Sequence, residues 1–274
     1  MAGKCMVAWG SRKQQHAPEH RLGGVTGLNS RIRWMTSHSV GQEPRCFALV
    51  PCAGSGSRAG TLQPKQYTAI AGRAVVAHTL AALAGVQRLA ATLVVLAPDD
   101  VQFEQAVPGF GGEHAWIARC GGASRAESVA NGLAVLRARG AQPHDWVLVH
   151  DAARCLVRAA WVERLIAACD DDEVGGLLAL PLADTLKQAV GERAAATVDR
   201  AGKWAAQTPQ MFRLGLLQPA LRAAGAGATD EAGAVEALGH QPLLVRGEQE
   251  NFKLTWPGDF ALAERLLASR GDAA

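Results

Sequence analysis

From Phe47 onward, short apolar runs alternate with stretches of helical period. FALVP at 47–51, TLVVLAP at 92–98, WIARC at 116–120, WVLVHDA at 146–152 and GGLLALPL at 175–182 are mostly apolar and strand-sized. Such runs are the pattern of strands covered on both faces. AVVAHTLAALAG at 74–85 reads as the first helix. A second helix lies between the third and fourth strands: Ser124 and Glu127 form a capping box, Val129, Leu133 and Leu136 share a face, and Gly140 stops it. This alternation predicts an α/β fold, a Rossmann-like, mostly parallel sheet flanked by helices. In open sheets of this kind ligands bind in the crevice at the carboxyl ends of the strands.

Two regions break the rhythm. Between Asp184 and Pro209, TLKQAV, AAATVDR and WAAQTPQ read as extended pieces around turns at Gly191 and Gly202. They predict a protruding β-arm over about 183–210, packed on a second subunit to make a homodimer or else left as a hairpin in solvent. Residues 1–45 show neither helical nor strand period and read as a disordered extension ahead of a single domain at 46–272. Met35 is a candidate natural start within it, and a targeting peptide is the alternative reading.

Composition changes this picture little. With 274 residues, 49% of them hydrophobic, the chain can bury a substantial core. No run approaches the length of a membrane-spanning helix, so no membrane association is expected. The net charge of +3 is uneven: residues 1–45 hold seven basic and two acidic side chains, and the remainder carries −2. The folding body is slightly acidic, which argues against nucleic acid as a partner. The six cysteines form no CxxC pair and no zinc-like spacing, and there is no secretory signal; reduced thiols in the cytoplasm are expected.

The candidate chemistry starts at PCAGSGSRAGTLQPKQY, 51–67. Gly54, Gly56 and Ala59 satisfy G-x-G-x-x-A after a strand, yet Pro64 interrupts the helix that a dinucleotide fingerprint requires, and 70–98 contain no acidic residue for a ribose. No Gly-Lys-Ser/Thr follows, so a P-loop is excluded as well. What remains is a glycine loop carrying Arg58 and Lys65, suited to a triphosphate. VHDAAR at 149–154 sets Asp151 at a strand's carboxyl end, where a carboxylate can bind a metal, orient a hydroxyl or simply cap a helix. Asp170, Asp171 and Asp172 follow a helix and read as a solvated face.

In order, PCAGSGSRAGTLQPKQY, GGASRAESVANGL, VLVHDAAR, PLADTLK, TVDRAGKWAAQTPQMF, ATDEAGAVE and NFKLTWPGD closely resemble the 2-C-methyl-D-erythritol 4-phosphate cytidylyltransferase family of the non-mevalonate isoprenoid pathway, over about 46–270. The resemblance implies a Mg²⁺-dependent transfer of a cytidylyl group from CTP to methylerythritol phosphate, releasing pyrophosphate. It implies CTP phosphates on Ala53, Gly54, Gly56, Arg58 and Lys65, with Arg58 and Lys65 stabilising the transition state. Gly122, Arg125 and Ser128 would surround the cytidine. Asp151 would sit by ribose, metal and substrate, with magnesium held mainly by the CTP phosphates, and Arg154 would support the loop. Thr208, Lys253 and Thr229 would surround methylerythritol phosphate, with Thr185 and Arg200 reaching it from the partner subunit's arm. Ribitol 5-phosphate cytidylyltransferases share much of the pattern, and a regulatory nucleotide-binding protein would share the fold and first loop. A second catalytic domain of a bifunctional enzyme is not expected within this length. Ala123 stands where the family commonly has an acid, Cys52 where it has alanine and Cys155 where it has proline.

Overall fold

A computed structural model describes residues 43–54 and 63–271. The expectations placed on residues 1–42, and on Gly56 and Arg58, lie outside them. In chain order the elements are β1 (Cys46–Pro51), β2 (Ala69–Ile70), β3 (Arg73–Ala74), α1 (Val75–Ala84), β4 (Leu89–Val95), α2 (Phe103–Ala106), β5 (Ala115–Ala118), α3 (Arg125–Ala138) and β6 (Trp146–Val149). There follow α4 (Ala159–Cys169), β7 (Gly175–Pro181), β8 (Leu186–Val190), β9 (Arg193–Val198), β10 (Trp204–Arg213), α5 (Leu214–Ala224), α6 (Glu231–Glu236), β11 (Leu243–Arg246) and α7 (Pro257–Gly271).

Seven strands form one sheet in the order β11-β7-β10-β6-β1-β4-β5. All neighbours are parallel except β10, which runs antiparallel to both β6 and β7. Side chains alternate across the sheet with period two, as a pleated strand requires. Ala48 and Val50 of β1 face one layer, with Val76, Leu80 and Leu83 of α1 and Val162, Leu165 and Ile166 of α4. Phe47 and Leu49 face the other, with Val129, Leu133 and Leu136 of α3 and Leu214 and Leu217 of α5. The three α3 residues are fully buried, each contributing about 1.5–3 kcal/mol by leaving water. A third cluster seats α7 through Ala263 against Ile70, Val75, Leu156 and Leu254.

The apolar runs all become strands of this sheet, and α3 begins at the capping box: Ser124 accepts from the Glu127 N–H at 3.1 Å, while Glu127 Oε2 accepts from Ala123 N–H at 2.8 Å. The arm differs from the sequence reading. Of its three pieces, the first two, β8 and β9, pair as a two-stranded sheet apart from the main one. WAAQTPQ instead opens β10, whose register against β7 shifts between Ala206 and Gln210 before it inserts beside β6. Its apolar continuation, Met211 and Phe212, is fully buried and fixes it in the sheet rather than in the arm.

The chain leaves β1 toward β4 and β5 on one side and later returns to place β6 on the other. The carboxyl ends of β1 and β6, paired at Leu49 and Val149, therefore flank the point where strand order reverses. That is where an open α/β sheet provides a crevice.

Candidate active site

Two cavities open there. The first, of about 440 Å³, is lined by the loop after β1 (Pro51 to Gly54), by Lys65 and Gln66, by Gly122 to Arg125 with Ser128 at the start of α3, by Asp151 to Ala153 after β6, and by Lys253. The second, of about 190 Å³, is lined by Arg125, Asp151, Arg154, Ala206 to Thr208, Gln210, Thr229, Asp230 and Lys253. Arg125, Asp151 and Lys253 belong to both and form the boundary between them.

The first cavity depends on close backbone approach. A Cβ on Gly121 would lie 2.3 Å from Ala53 Cβ and 2.8 Å from the Leu96 carbonyl, so only glycine lets the entry to α3 pack on the loop after β1. Gln66 Nε2 donates to the carbonyls of Cys52 at 3.1 Å and Gly54 at 3.0 Å, holding that loop from below. Ser128 Oγ accepts from Gly122 N–H at 3.0 Å and donates to Ser124 O at 2.9 Å, so this predicted cytidine neighbour shapes the α3 entry. Lys65 Nζ donates to Leu254 O at 2.8 Å, joining the glycine loop to the segment that carries Lys253.

Asp151 is the hub of the boundary. Its Oδ1 accepts from Arg125 Nε at 2.8 Å, its Oδ2 lies 2.7 Å from Lys253 Nζ, and Arg154 Nε stands 4.0 Å from Oδ2. Burial alone would push this carboxyl up; Arg125 and Lys253, with Arg154 behind them, outweigh it and hold the group far below the usual carboxylate range. Asp151 is thus held as the carboxylate near neutral pH.

Its backbone is fixed by a buried relay. His150 Nε2 lies 3.2 Å from the Arg154 carbonyl, which can only accept, so that nitrogen carries the proton. His150 Nδ1 then accepts from the Thr208 hydroxyl at 3.0 Å, and Thr208 Oγ1 accepts from the Asp151 N–H at 3.0 Å. The imidazole is fully buried, which pulls its pKa down to about 4 and keeps it neutral. Thr208, read from sequence as a substrate contact, lines the second cavity but turns its hydroxyl toward this relay.

The Lys253 loop is clamped to β10. Asn251 Nδ2 donates to Thr208 O at 2.9 Å and Gln207 Oε1 at 3.2 Å, and Gln207 Nε2 donates to Glu248 O at 2.9 Å. A Cβ on Gly247 would fall 2.2 Å from Gln207 Oε1, so a larger residue there would push this amide away from Asn251. Arg154 donates to Asn251 O at 2.7 Å and Ala206 O at 3.3 Å, tying the segment after β6 to the Lys253 loop and to β10.

Of the remaining sequence-derived residues, Thr229 lines the second cavity, whereas Thr185 and Arg200 flank the β8–β9 hairpin, are exposed and line neither. The thiols are chemically quiet: burial pushes both Cys52 and Cys155 up to about 12, and all five described cysteines are free. Sequence reasoning assigned no role to His150, Gln207, Gln210, Glu231 or Asn251. Their signal lay in the same motif stretches, VLVHDAAR, TVDRAGKWAAQTPQMF, ATDEAGAVE and NFKLTWPGD, where other residues were assigned the roles. Among the described residues no group of three His, Cys, Asp or Glu side chains could hold a metal, and no helix is long and apolar enough to cross a membrane.

A mostly parallel α/β sheet with a cation-lined double cavity at its switch point is the framework of a protein that binds an anionic ligand such as a nucleotide. The profile of the 2-C-methyl-D-erythritol 4-phosphate cytidylyltransferase family matches residues 46–269. A cytidylyltransferase of that name from Burkholderia multivorans is 52% identical over 235 residues, covering 84% of this chain and 99% of its own. The bifunctional enzyme IspD/IspF of Albidiferax ferrireducens is 58% identical over 233 residues, covering 84% of this chain, which spans only 55% of that protein's length. A solved structure, 4-diphosphocytidyl-2C-methyl-D-erythritol synthase, superposes with a TM-score of 0.73 at 41% identity, over 83% of this chain and all of that one. The chain belongs to the 2-C-methyl-D-erythritol 4-phosphate cytidylyltransferase family, a family of nucleotidyltransferases.

Proposed function

We propose that this protein transfers a cytidylyl group from CTP to 2-C-methyl-D-erythritol 4-phosphate in isoprenoid precursor biosynthesis. The observation that carries the reading is the pair of cavities meeting at Arg125, Asp151 and Lys253. The larger takes the nucleotide, the smaller the polyol phosphate, and the two phosphates meet at their boundary. A phosphate oxygen of the acceptor attacks the α-phosphorus of CTP, forming a new P–O–P bridge as the bond to the β-phosphate oxygen breaks and pyrophosphate leaves. A phosphate monoester is already a nucleophile near neutral pH, so the protein has to align two anions and offset their repulsion. Lys253 and Arg125 supply positive charge at the boundary, and Lys65 supplies it on the nucleotide side. Arg58, outside the described residues, joins them in this reading.

Magnesium, when bound, would neutralise phosphate charge. The first cavity offers it one carboxylate, Asp151, already paired with two cations, which suits an ion held mainly by the CTP phosphates. A homodimer built on the β8–β9 hairpin is part of the proposal: the hairpin's strands pair only with each other and are almost wholly exposed, as an arm awaiting a partner surface would be. The partner's arm would bring Thr185 and Arg200 to the second cavity. Free thiols and water-soluble reactants fit a cytoplasmic setting.

Pyrophosphate release from CTP and Mg²⁺ tests the reaction, with methylerythritol phosphate and ribitol 5-phosphate compared side by side. Release with the first substrate is expected; preference for ribitol 5-phosphate would move the pathway, and silence with both would leave a nucleotide-binding regulator. Arg200→Ala is expected to abolish turnover while CTP affinity by calorimetry stays within about threefold, because Arg200 lines neither cavity of its own chain. Unchanged turnover in that variant would take Arg200, and the arm's catalytic role, out of the scheme.

A further inference from the structure

Glu231 is a carboxylate that the transfer chemistry leaves without a task. It opens α6, is wholly buried and lines neither cavity. Its Oε1 accepts from Arg125 Nη1 at 2.7 Å and its Oε2 from Nη2 at 3.0 Å, while the Nε of the same guanidinium goes to Asp151 at 2.8 Å. One arginine is thereby tied to two carboxylates brought from different elements, the segment after β6 and the start of α6.

The two carboxylates differ in what else can reach them. Asp151 faces both cavities, shares its charge with Lys253 and lies where a ligand would compete for its partners. Glu231 is closed off. Burial pushes its carboxyl up and Arg125 opposes this; both oxygens accept from guanidinium nitrogens in a bidentate pair. The support continues outward. Gln210 of β10 donates to Asp230 Oδ2 at 2.9 Å and accepts from Ala232 N–H at 2.7 Å, and Asp230 Oδ1 caps α6 by accepting from Gly233 N–H at 2.9 Å.

Stability does not account for this arrangement. A buried ion pair is on average no better than well-packed apolar residues, so its retention calls for a reason of position. Arg125 supplies one, since it is the first residue of α3, where the helix dipole disfavours a cation. We propose that Glu231 is the positioning residue that fixes the Arg125 guanidinium at the boundary of the two cavities independently of Asp151. A ligand that draws Asp151 or Lys253 toward itself then leaves Arg125 in place against the nucleotide. The inference rests on the first cavity being the CTP site.

The test is a mutant cycle read by calorimetry with CTP and Mg²⁺ and by steady-state kinetics, using the full chain. Glu231→Gln is expected to weaken CTP binding at least tenfold. Glu231→Asp, which keeps the charge but shortens the side chain, is expected to do nearly as much. In an Arg125→Lys background, which lacks the fork that Glu231 grips, Glu231→Gln should change CTP affinity less than threefold. An equal loss in both backgrounds would mean that Glu231 acts through general stability and would overturn the proposal, as would wild-type affinity in Glu231→Gln. Melting temperatures are recorded throughout, and where Glu231→Gln does not fold the cycle is run with Glu231→Asp. Failure of the wild-type protein to bind CTP would overturn the nucleotide reading itself, and this inference with it.

Discussion

Replacing Lys253 with alanine is expected to lower kcat/KM for cytidylyl transfer by about 10²–10³-fold, with a fall of only a few degrees in melting temperature. The ammonium lies 2.7 Å from Asp151 Oδ2 and lines both cavities, so its charge stands where donor and acceptor phosphates approach each other. Charge developing between two anions in a partly desolvated cleft is most sensitive to a cation placed in advance. The fold tolerates its loss because Asp151 keeps Arg125 at 2.8 Å and Arg154 at 4.0 Å, and the buried carboxylate is not left without a counterion. Initial rates with CTP and methylerythritol phosphate, beside thermal denaturation, check both halves. A variant that retains kcat/KM within threefold would place Lys253 outside the reaction.

Acidification is expected to destabilise the protein through His150 well before Asp151 is protonated. The folded-state pKa of about 4 lies below the value of about 6.5 of a free imidazole, so unfolded chains take up this proton first as pH falls. The contribution is fully present above pH of about 6.5 and is lost between there and about 4, up to about 3 kcal/mol in all. Asp151 acts in the same direction only at lower pH, because its folded-state value is depressed below the carboxylate range. Glu231 acts in the opposite direction, since a raised carboxyl gains relative stability on protonation. Comparison with His150→Asn removes both of these from the difference. Urea denaturation from pH 7.5 to 4.5 should give the wild type the steeper loss; parallel slopes would mean that the imidazole is not held neutral by burial. Protonation would also take the Nδ1 lone pair from the Thr208 hydroxyl and loosen the relay that seats Asp151, so activity of the folded enzyme should fall only as pH approaches about 4.

Much of the fold is legible in the sequence. β1, β4, β5, β6 and β7 each come from one apolar run, and α3 from its capping box and Gly140 stop, because these signals depend on neighbours within a few residues. The motif stretches, taken together, also pointed to the family. The misplacement of WAAQTPQ has an equally local origin: three extended pieces separated by glycine turns look alike in sequence, and only the sheet partners of Gln210 to Arg213 reveal that the third is β10.

Sequence by itself determined the alternation of strands and helices, the cations around a glycine loop, and the carboxylate at the end of β6, since each is a statement about residue type and local spacing. Tertiary structure alone decided that Arg125 meets Glu231 across 106 positions, that Lys253 and Arg125 share Asp151, and that the space around them divides into two cavities. Ion pairs and buried relays form where strand order and helix packing bring charges within about 3 Å, and that proximity is a property of the assembled sheet, which no local pattern encodes.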